Sequence, residues 1–151
     1  MKIWIWLLLV VSVDVRAGSA PTPTPTPIFN GTWEYRKCFS KKEFDCESYY
    51  FELRQVGDQI CGQHSGSTRQ LSQLNEGGPV RGIVVEKVAV LTVTSGRNNQ
   101  IVIGKATLRG ADLVWQQSTT VREGEGDIGL IFGGGILKRL PVKPGTAPIE
   151  C

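Results

Sequence analysis

The sequence has few of the side chains that carry most enzyme chemistry: it contains one histidine, one methionine and four cysteines among 151 residues. The single histidine, His64, is followed by Ser65, which would point to the opposite face of a strand, and no serine lies in a nucleophile-elbow motif. This pattern argues against a Ser-His-Asp site. We therefore expect no catalytic residue and a protein that is not an enzyme.

Metal ligands are equally scarce. The cysteines include no CxxC pair and only His64 could join them, which argues against zinc. Glu123, Glu125 and Asp127 alternate with glycine at residues 122–127, which is typical of a solvated loop rather than of an acid–base pair, with calcium binding as the alternative. We expect no metal site and no cofactor.

The chain also lacks a strong excess of one charge, since 17 Lys and Arg against 14 Asp and Glu give +3. Leaving out residues 1–20 removes Lys2, Arg16 and Asp14, so 15 basic and 13 acidic residues remain, a net charge of +2. A nucleic-acid-binding domain usually has a denser basic face. Nucleic acid is therefore not an expected partner.

No apolar run is long enough to span a membrane as a helix, because the longest, Ile3 to Val13, is well short of ~20 residues. This run follows Lys2 and precedes small residues, the pattern of a cleaved secretory signal over residues 1–20. Alternating proline and threonine at residues 21–28 then predict an extended linker. We expect a secreted or periplasmic protein.

An even number of cysteines in an exported chain predicts disulfides, and three pairings are open to Cys38, Cys46, Cys61 and Cys151. Cys38 and Cys46 bracket a short charged loop, which favours a bridge between them and leaves Cys61 with Cys151. The second bridge would tie a tail at residues 143–151 to the body, and closing a loop of about 90 residues would contribute ~4 kcal/mol.

Between these ends, residues 29–142 alternate apolar and polar side chains with turn residues at short intervals, and no convincing helix is found. This pattern predicts an all-β domain of about eight strands in an antiparallel up-and-down barrel. The expected strands are Gly31–Lys37, Glu47–Val56, Gln59–Ser65, Val80–Val85, Lys87–Ser95, Gln100–Arg109, Asp112–Val121 and a last segment within Ile128–Leu140.

Two hairpins have turns short enough to predict their register. A turn at Gly57-Asp58 pairs Phe51 with His64 and Leu53 with Gly62. A turn at Gly110-Ala111 pairs Ala106 with Trp115 and Gly104 with Gln117. Small residues opposite a tryptophan suit the narrow interior of a small barrel.

Gly31-Thr32-Trp33 on the first strand resembles the G-x-W element of lipocalins and related calycin-type barrels. The resemblance implies that Trp33 closes the barrel floor and that a basic residue near the last strand packs over its ring. Arg139 is the best-placed counterpart, and Arg122 is the second.

Two functions follow from these features. The first is a non-enzymatic binding protein of lipocalin-like fold that holds a small apolar or amphipathic ligand. Its pocket would be lined by inward-facing residues, namely Phe51, Leu53, His64, Leu91, Val93, Ala106 and Trp115. The interior of so small a barrel could equally be filled by these side chains.

The second function is that of a secreted or periplasmic protein that inhibits an enzyme or gives immunity to a toxin. Such a protein needs a rigid scaffold and a protruding loop. The loop between Cys38 and Cys46 fits this requirement through Lys41, Lys42, Glu43 and Phe44. The ligand or the partner protein is not identified by the sequence.

Overall fold

A computed structural model describes residues 27–126, 131–141 and 151. The predicted signal at residues 1–20, most of the linker and most of the tail lie outside the described residues. The described residues form one closed barrel of eight antiparallel strands, each paired with the next and β8 with β1. The strands are β1 Gly31–Cys38, β2 Cys46–Val56, β3 Gln59–Ser67, β4 Leu74–Val85, β5 Val88–Thr94, β6 Ile101–Arg109, β7 Asp112–Arg122 and β8 Gly134–Arg139.

This architecture confirms the predicted fold class, including both disulfides. The bridges are Cys38–Cys46 and Cys61–Cys151. Helical structure among the described residues is limited to two short 3₁₀ turns, at Glu43–Asp45 and Arg69–Leu71. Two disulfides are typical of proteins that mature in an oxidising environment.

The predicted registers of both hairpins are also observed. Phe51 pairs with His64 and Ala106 with Trp115. Gly57 and Gly110 both have positive φ, 63° and 62°, which the tight turns at these positions require. A two-residue turn fixes the register of the strands that it joins, so pairing could be counted outward from each turn.

Strand β4 begins at Leu74, earlier than the predicted start at Val80. Gly77, Gly78 and Pro79 have the composition of a turn, yet they lie inside this strand. A Cβ on Gly78 would overlap the carbonyl oxygen of Thr94 and would lie 3.1 Å from Nε2 of His64. Glycine is needed here because the backbone passes close to its neighbours.

The two ends of the barrel differ. At one end, β2–β3, β4–β5 and β6–β7 are joined by two-residue turns, and we call this the turn end. Longer connections follow β1, β3, β5 and β7 at the opposite end, which we call the loop end. The longer connections offer more surface for recognition, as loops on a rigid scaffold commonly do.

Trp33 and Phe29 close the turn end from inside. Nε1 of Trp33 donates a hydrogen bond to the carbonyl oxygen of Phe29 at 3.1 Å. The guanidinium carbon of Arg139 lies 4.4 Å from the centroid of the Trp33 ring, and Nη2 donates to the carbonyl oxygen of Ile28 at 3.1 Å. Arg139 thus has the position that the lipocalin resemblance implies, whereas Arg122 donates to the carbonyl oxygen of Asn99 at the loop end.

Candidate functional site

The seven inward-facing pocket candidates are all buried. Phe51, Leu53, Leu91, Val93, Ala106 and Trp115 belong to one hydrophobic cluster, and His64 lies beside Phe51. Water cannot reach any part of Leu91, Val93 or Ala106, either from outside or from an internal void, because their exposed fraction is 0%. Around these three residues, the barrel interior is filled by side chains.

Trp115 fills the space in the middle of the barrel. Its ring meets the Phe51 ring edge-on, with centroids 5.3 Å apart. It also lies against Gly104, where an added Cβ would be 2.7 Å from Cζ3 of the indole. A large ring opposite glycine is the close interdigitation expected of a packed core.

His64 is held as a structural side chain. Its Nε2 lies 2.8 Å from the carbonyl oxygen of Thr94, so the ring connects β3 to β5 past the glycines of β4. Burial lowers the pKa of His64, and the hydrogen bond to Thr94 opposes this effect in part. One ring nitrogen is therefore already bonded to the backbone.

Phe132 covers the interior at the loop end. Its ring stacks on Tyr49 with centroids 4.6 Å apart, and it contacts Tyr35 at the same centroid distance. Nε1 of Trp115 donates to the carbonyl oxygen of Phe132 at 2.7 Å. The segment before β8 is thereby tied across the mouth of the barrel.

The predicted partner loop lies at this end of the barrel. Cys38 and Cys46 are directly opposite each other as the last pair of β1 and β2, so their bridge closes the loop at its base. Glu43 begins the 3₁₀ turn inside the loop, and Lys41 and Lys42 precede it on the exposed side. The bridge restrains this short connection at its base, beside a hydrogen bond from the Phe39 amide to the carbonyl oxygen of Asp45 at 3.0 Å.

A second connection, which no sequence motif predicted, packs against this loop. Residues 68–73 join β3 to β4, and Nε of Arg69 reaches back to Oδ1 of Asp45 at 2.5 Å. Hydrogen bonds from Arg69 and then from Ser40 hold the pKa of Asp45 below its usual range. The ion pair joins the two connections into one surface.

The joint surface combines exposed apolar side chains with cations. Phe39, Phe44 and Leu71 are 45%, 55% and 55% exposed. The guanidinium carbon of Arg69 lies 4.8 Å from the Phe39 ring centroid, and Nζ of Lys37 lies at 4.9 Å. We call this patch, with Lys42 beside Phe44, the loop-end surface.

Leu71 is held outward by an unusual backbone. Gln70 and Leu71 have positive φ, 58° and 53°, although neither is glycine. Left-handed backbone is disfavoured for residues with a Cβ and is concentrated at functional sites and turns. An apolar side chain presented to solvent in this way is the kind of feature that a binding surface uses.

Other sites considered from the sequence have little support from geometry. Glu123 and Glu125 are exposed, and Asp127 lies outside the described residues. Within the described ranges, no three His, Cys, Asp or Glu side chains are grouped as metal ligands. The same ranges contain no helix with the length and apolarity of a membrane span. Comparisons with protein-family models, curated proteins and solved structures find no match to this chain.

Proposed function

We propose that this protein is an exported, non-enzymatic binding protein that docks an acidic protein partner through the loop-end surface. Inhibition of an enzyme or immunity to a toxin is the activity that suits such a surface. The main supporting observation is that the Asp45–Arg69 ion pair joins the disulfide-closed loop to the 68–73 connection. The joined surface exposes the apolar side chains of Phe39, Phe44 and Leu71.

The chemistry of this surface favours a protein with carboxylates. Arg69 and Lys37 lie 4.8 Å and 4.9 Å from the centroid of the exposed Phe39 ring, so two cations border the aromatic contact area. Aromatic residues and arginine are the types enriched among residues that contribute most to binding. Complementary charge on the partner would steer its approach and exclude basic proteins.

The rigidity of the surface supports the same proposal. One connection is closed by the Cys38–Cys46 bridge, and the other is fixed by Arg69 and by a hydrogen bond from the Thr68 amide to the carbonyl oxygen of Gln73 at 3.0 Å. A surface ordered before binding loses less conformational entropy when the partner docks. Tight binding is therefore attainable with a small contact area.

Two observations support a role without catalysis. The only histidine in the sequence is buried and is bonded to a backbone carbonyl. Glu123 and Glu125 lie exposed in solvent, where a carboxyl group is not desolvated for general-acid work.

The test is affinity capture from an extract of the producing cells, with captured proteins identified by mass spectrometry. The wild type should retain one acidic protein in stoichiometric amount. The double variant Phe39→Ser, Phe44→Ser should lose it, and Lys41→Glu, Lys42→Glu should weaken capture most strongly at low salt because exposed charges are screened as salt rises.

Matched control variants distinguish specific binding at this surface from nonspecific adsorption. Val121→Thr with Ile136→Thr removes apolar groups of comparable exposure on β7 and β8, and Lys87→Glu with Arg109→Glu reverses charges at the turn end. Both controls should retain the partner. Equal capture by all variants would refute the proposal, as would loss of capture in the controls.

A small apolar ligand inside the barrel is the second candidate function, and Phe132 favours it. Its ring is only half-buried between Tyr35 and Tyr49, so a flat ligand ring could take its place. Fatty-acid and aromatic probes would then quench the fluorescence of Trp115, more strongly in Phe132→Ala. Absence of quenching in both proteins would refute this candidate.

A further inference from the structure

A second apolar surface lies at the turn end, on the outside of the barrel. Val56, Ile83, Val85 and Val90 are 55%, 52%, 54% and 41% exposed, and we call these four residues the outer apolar face. Ile83 pairs with Val90, while Gln59 pairs with both Val56 and Ile83. Adjacent strands are about 4.8 Å apart, so the row from β2 to β5 is roughly 14 Å wide.

A groove adjoins this face. It has a volume of about 430 Å³ and runs between Val56 and Ile83, beside the Cys61–Cys151 bridge. Arg81 lines the same groove. The patch therefore has a groove at one side, which is the shape that an inserted side chain needs.

Strand propensity does not account for this clustering. Single β-branched residues on an outer face are normal. Threonine has a similar preference for strands, and Thr92 and Thr94 occupy the outward positions of β5 towards the loop end. On β5 the exposed apolar residue, Val90, therefore lies towards the turn end, beside Ile83, and neighbouring exposed apolar residues commonly mark an interaction site.

The charges beside the outer apolar face indicate what would cover it. Arg54 and Arg81 are both opposite Cys61 on neighbouring strands, and Lys105 is opposite Val90. All three cations are exposed. Of the acids in this half of the barrel, Asp58 and Glu86 lie on the turns and Asp112 is bonded to Lys138, which leaves exposed Glu52, two residues before Arg54, as the acid nearest these cations. A second copy of the chain would place these cations close to the same cations of its partner, and like charges repel. A partner with carboxylates on both sides of an apolar stripe would instead attract them.

We propose that the outer apolar face is a docking site for an amphipathic helical segment of another protein, with its apolar stripe flanked by Asp or Glu. Strands β2 to β5 each have a neighbour on both sides, so a partner cannot extend the sheet there and must pack across the face. An amphipathic helix with apolar residues at i, i+3 and i+4 presents a stripe suited to such a face. This site is distinct from the loop-end surface and lies at the opposite end of the barrel.

The test uses three synthetic helical peptides titrated into the intact, disulfide-bonded protein. The first peptide has an apolar stripe flanked by glutamate, and the second has the same stripe flanked by lysine. The third has the amino-acid composition of the first, with the order of its residues scrambled so that no stripe forms. Affinity is measured by calorimetry and the site by methyl and aromatic NMR shifts. The glutamate-flanked peptide should bind at least about tenfold more tightly than the other two, a difference of about 1.4 kcal/mol.

The location of the shifts and two variants complete the test. Shifts should centre on the methyl groups of Val56, Ile83 and Val90. Ile83→Thr with Val90→Thr should weaken binding about tenfold, because two apolar contacts are lost while strand propensity is kept. Val121→Thr, which changes a valine of 57% exposure on β7, should leave the affinity unchanged.

Several outcomes would overturn the proposal. These are absence of binding, equal affinity for all three peptides, and shifts centred on Phe39 and Phe44, which would assign the peptide to the loop-end surface. A concentration-dependent dimer that Ile83→Thr with Val90→Thr abolishes would also overturn it, because a second copy would then be the occupant. None of these outcomes alters the capture test of the loop-end surface.

Discussion

Gly104→Ala tests whether the barrel interior is filled where Trp115 crosses it. Gly104 lies on β6 directly against the indole, and its pairing partner on β7 is Gln117. A Cβ at this position would overlap both the carbonyl oxygen of Gln116 and Cη2 of Trp115. The indole can move only if its hydrogen bond to the Phe132 carbonyl is given up, and the Gln116 carbonyl is fixed in the β-sheet.

The expected effect follows from two opposing terms. Forcing an extra methyl group into a well-packed core destabilises a protein by about 1–3 kcal/mol. Replacing glycine by alanine also restricts the unfolded chain, which stabilises by roughly 0.4–1 kcal/mol where the native backbone accepts alanine. The clash dominates at Gly104, and we expect a net loss of about 1–2 kcal/mol, or roughly 4–8 °C in Tm for a domain of this size.

Urea and thermal unfolding measure the effect, with Gly133→Ala as the matched control. A Cβ at Gly133 would meet only Oε1 of Gln117, at 3.9 Å, so the control should be neutral or slightly stabilised. If Gly104→Ala is as stable as the wild type, the interior has room beside Trp115. A ligand could then enter the barrel, and recognition would not be confined to its outer surface.

Three further predictions concern stability and the loop-end surface. Because burial lowers the pKa of His64 from 6.5, the unfolded chain binds the proton more readily, so stability should fall as pH drops from about 7 to about 5. His64→Gln should flatten that part of a Tm-against-pH profile, and an unchanged slope would contradict the assignment. Arg139→Met should lower the free energy of unfolding by about 1–2 kcal/mol in urea, because its contact with Trp33 and one hydrogen bond are lost; no loss would show that the guanidinium does not stabilise the barrel floor. Asp45→Asn should increase amide hydrogen exchange in both residues 39–45 and residues 68–73, since the ion pair with Arg69 joins them; a change confined to one segment would show that they are independent.

The strands were predictable because local rules fix most of them. Two-residue turns at Gly57-Asp58 and Gly110-Ala111 set the register of two hairpins, and alternation assigned the inward rows. The start of β4 was not predictable in the same way. Gly77 and Gly78 signal a turn locally, and only the packed barrel shows that they allow close backbone approach to β3 and β5.

The candidate sites were predictable to a smaller extent. The short spacing between Cys38 and Cys46 was enough to predict the disulfide that closes the loop between them. Its contact with Arg69 joins residues 24 positions apart in the sequence, and no local pattern encodes that approach. Alternation likewise shows which side chains point inward, but whether they leave a cavity depends on how Trp115 meets the opposite side of the closed barrel.

Site-specific photo-crosslinking in the producing cells shows directly whether the loop-end surface binds a partner protein. A photoreactive phenylalanine analogue replaces Phe44 in one protein, Phe39 in a second and Val121 in a control, and crosslinked proteins are identified by mass spectrometry. We expect one acidic protein to be crosslinked from positions 44 and 39, and none from position 121. No crosslinked protein from either loop position, or the same products from all three, would contradict it.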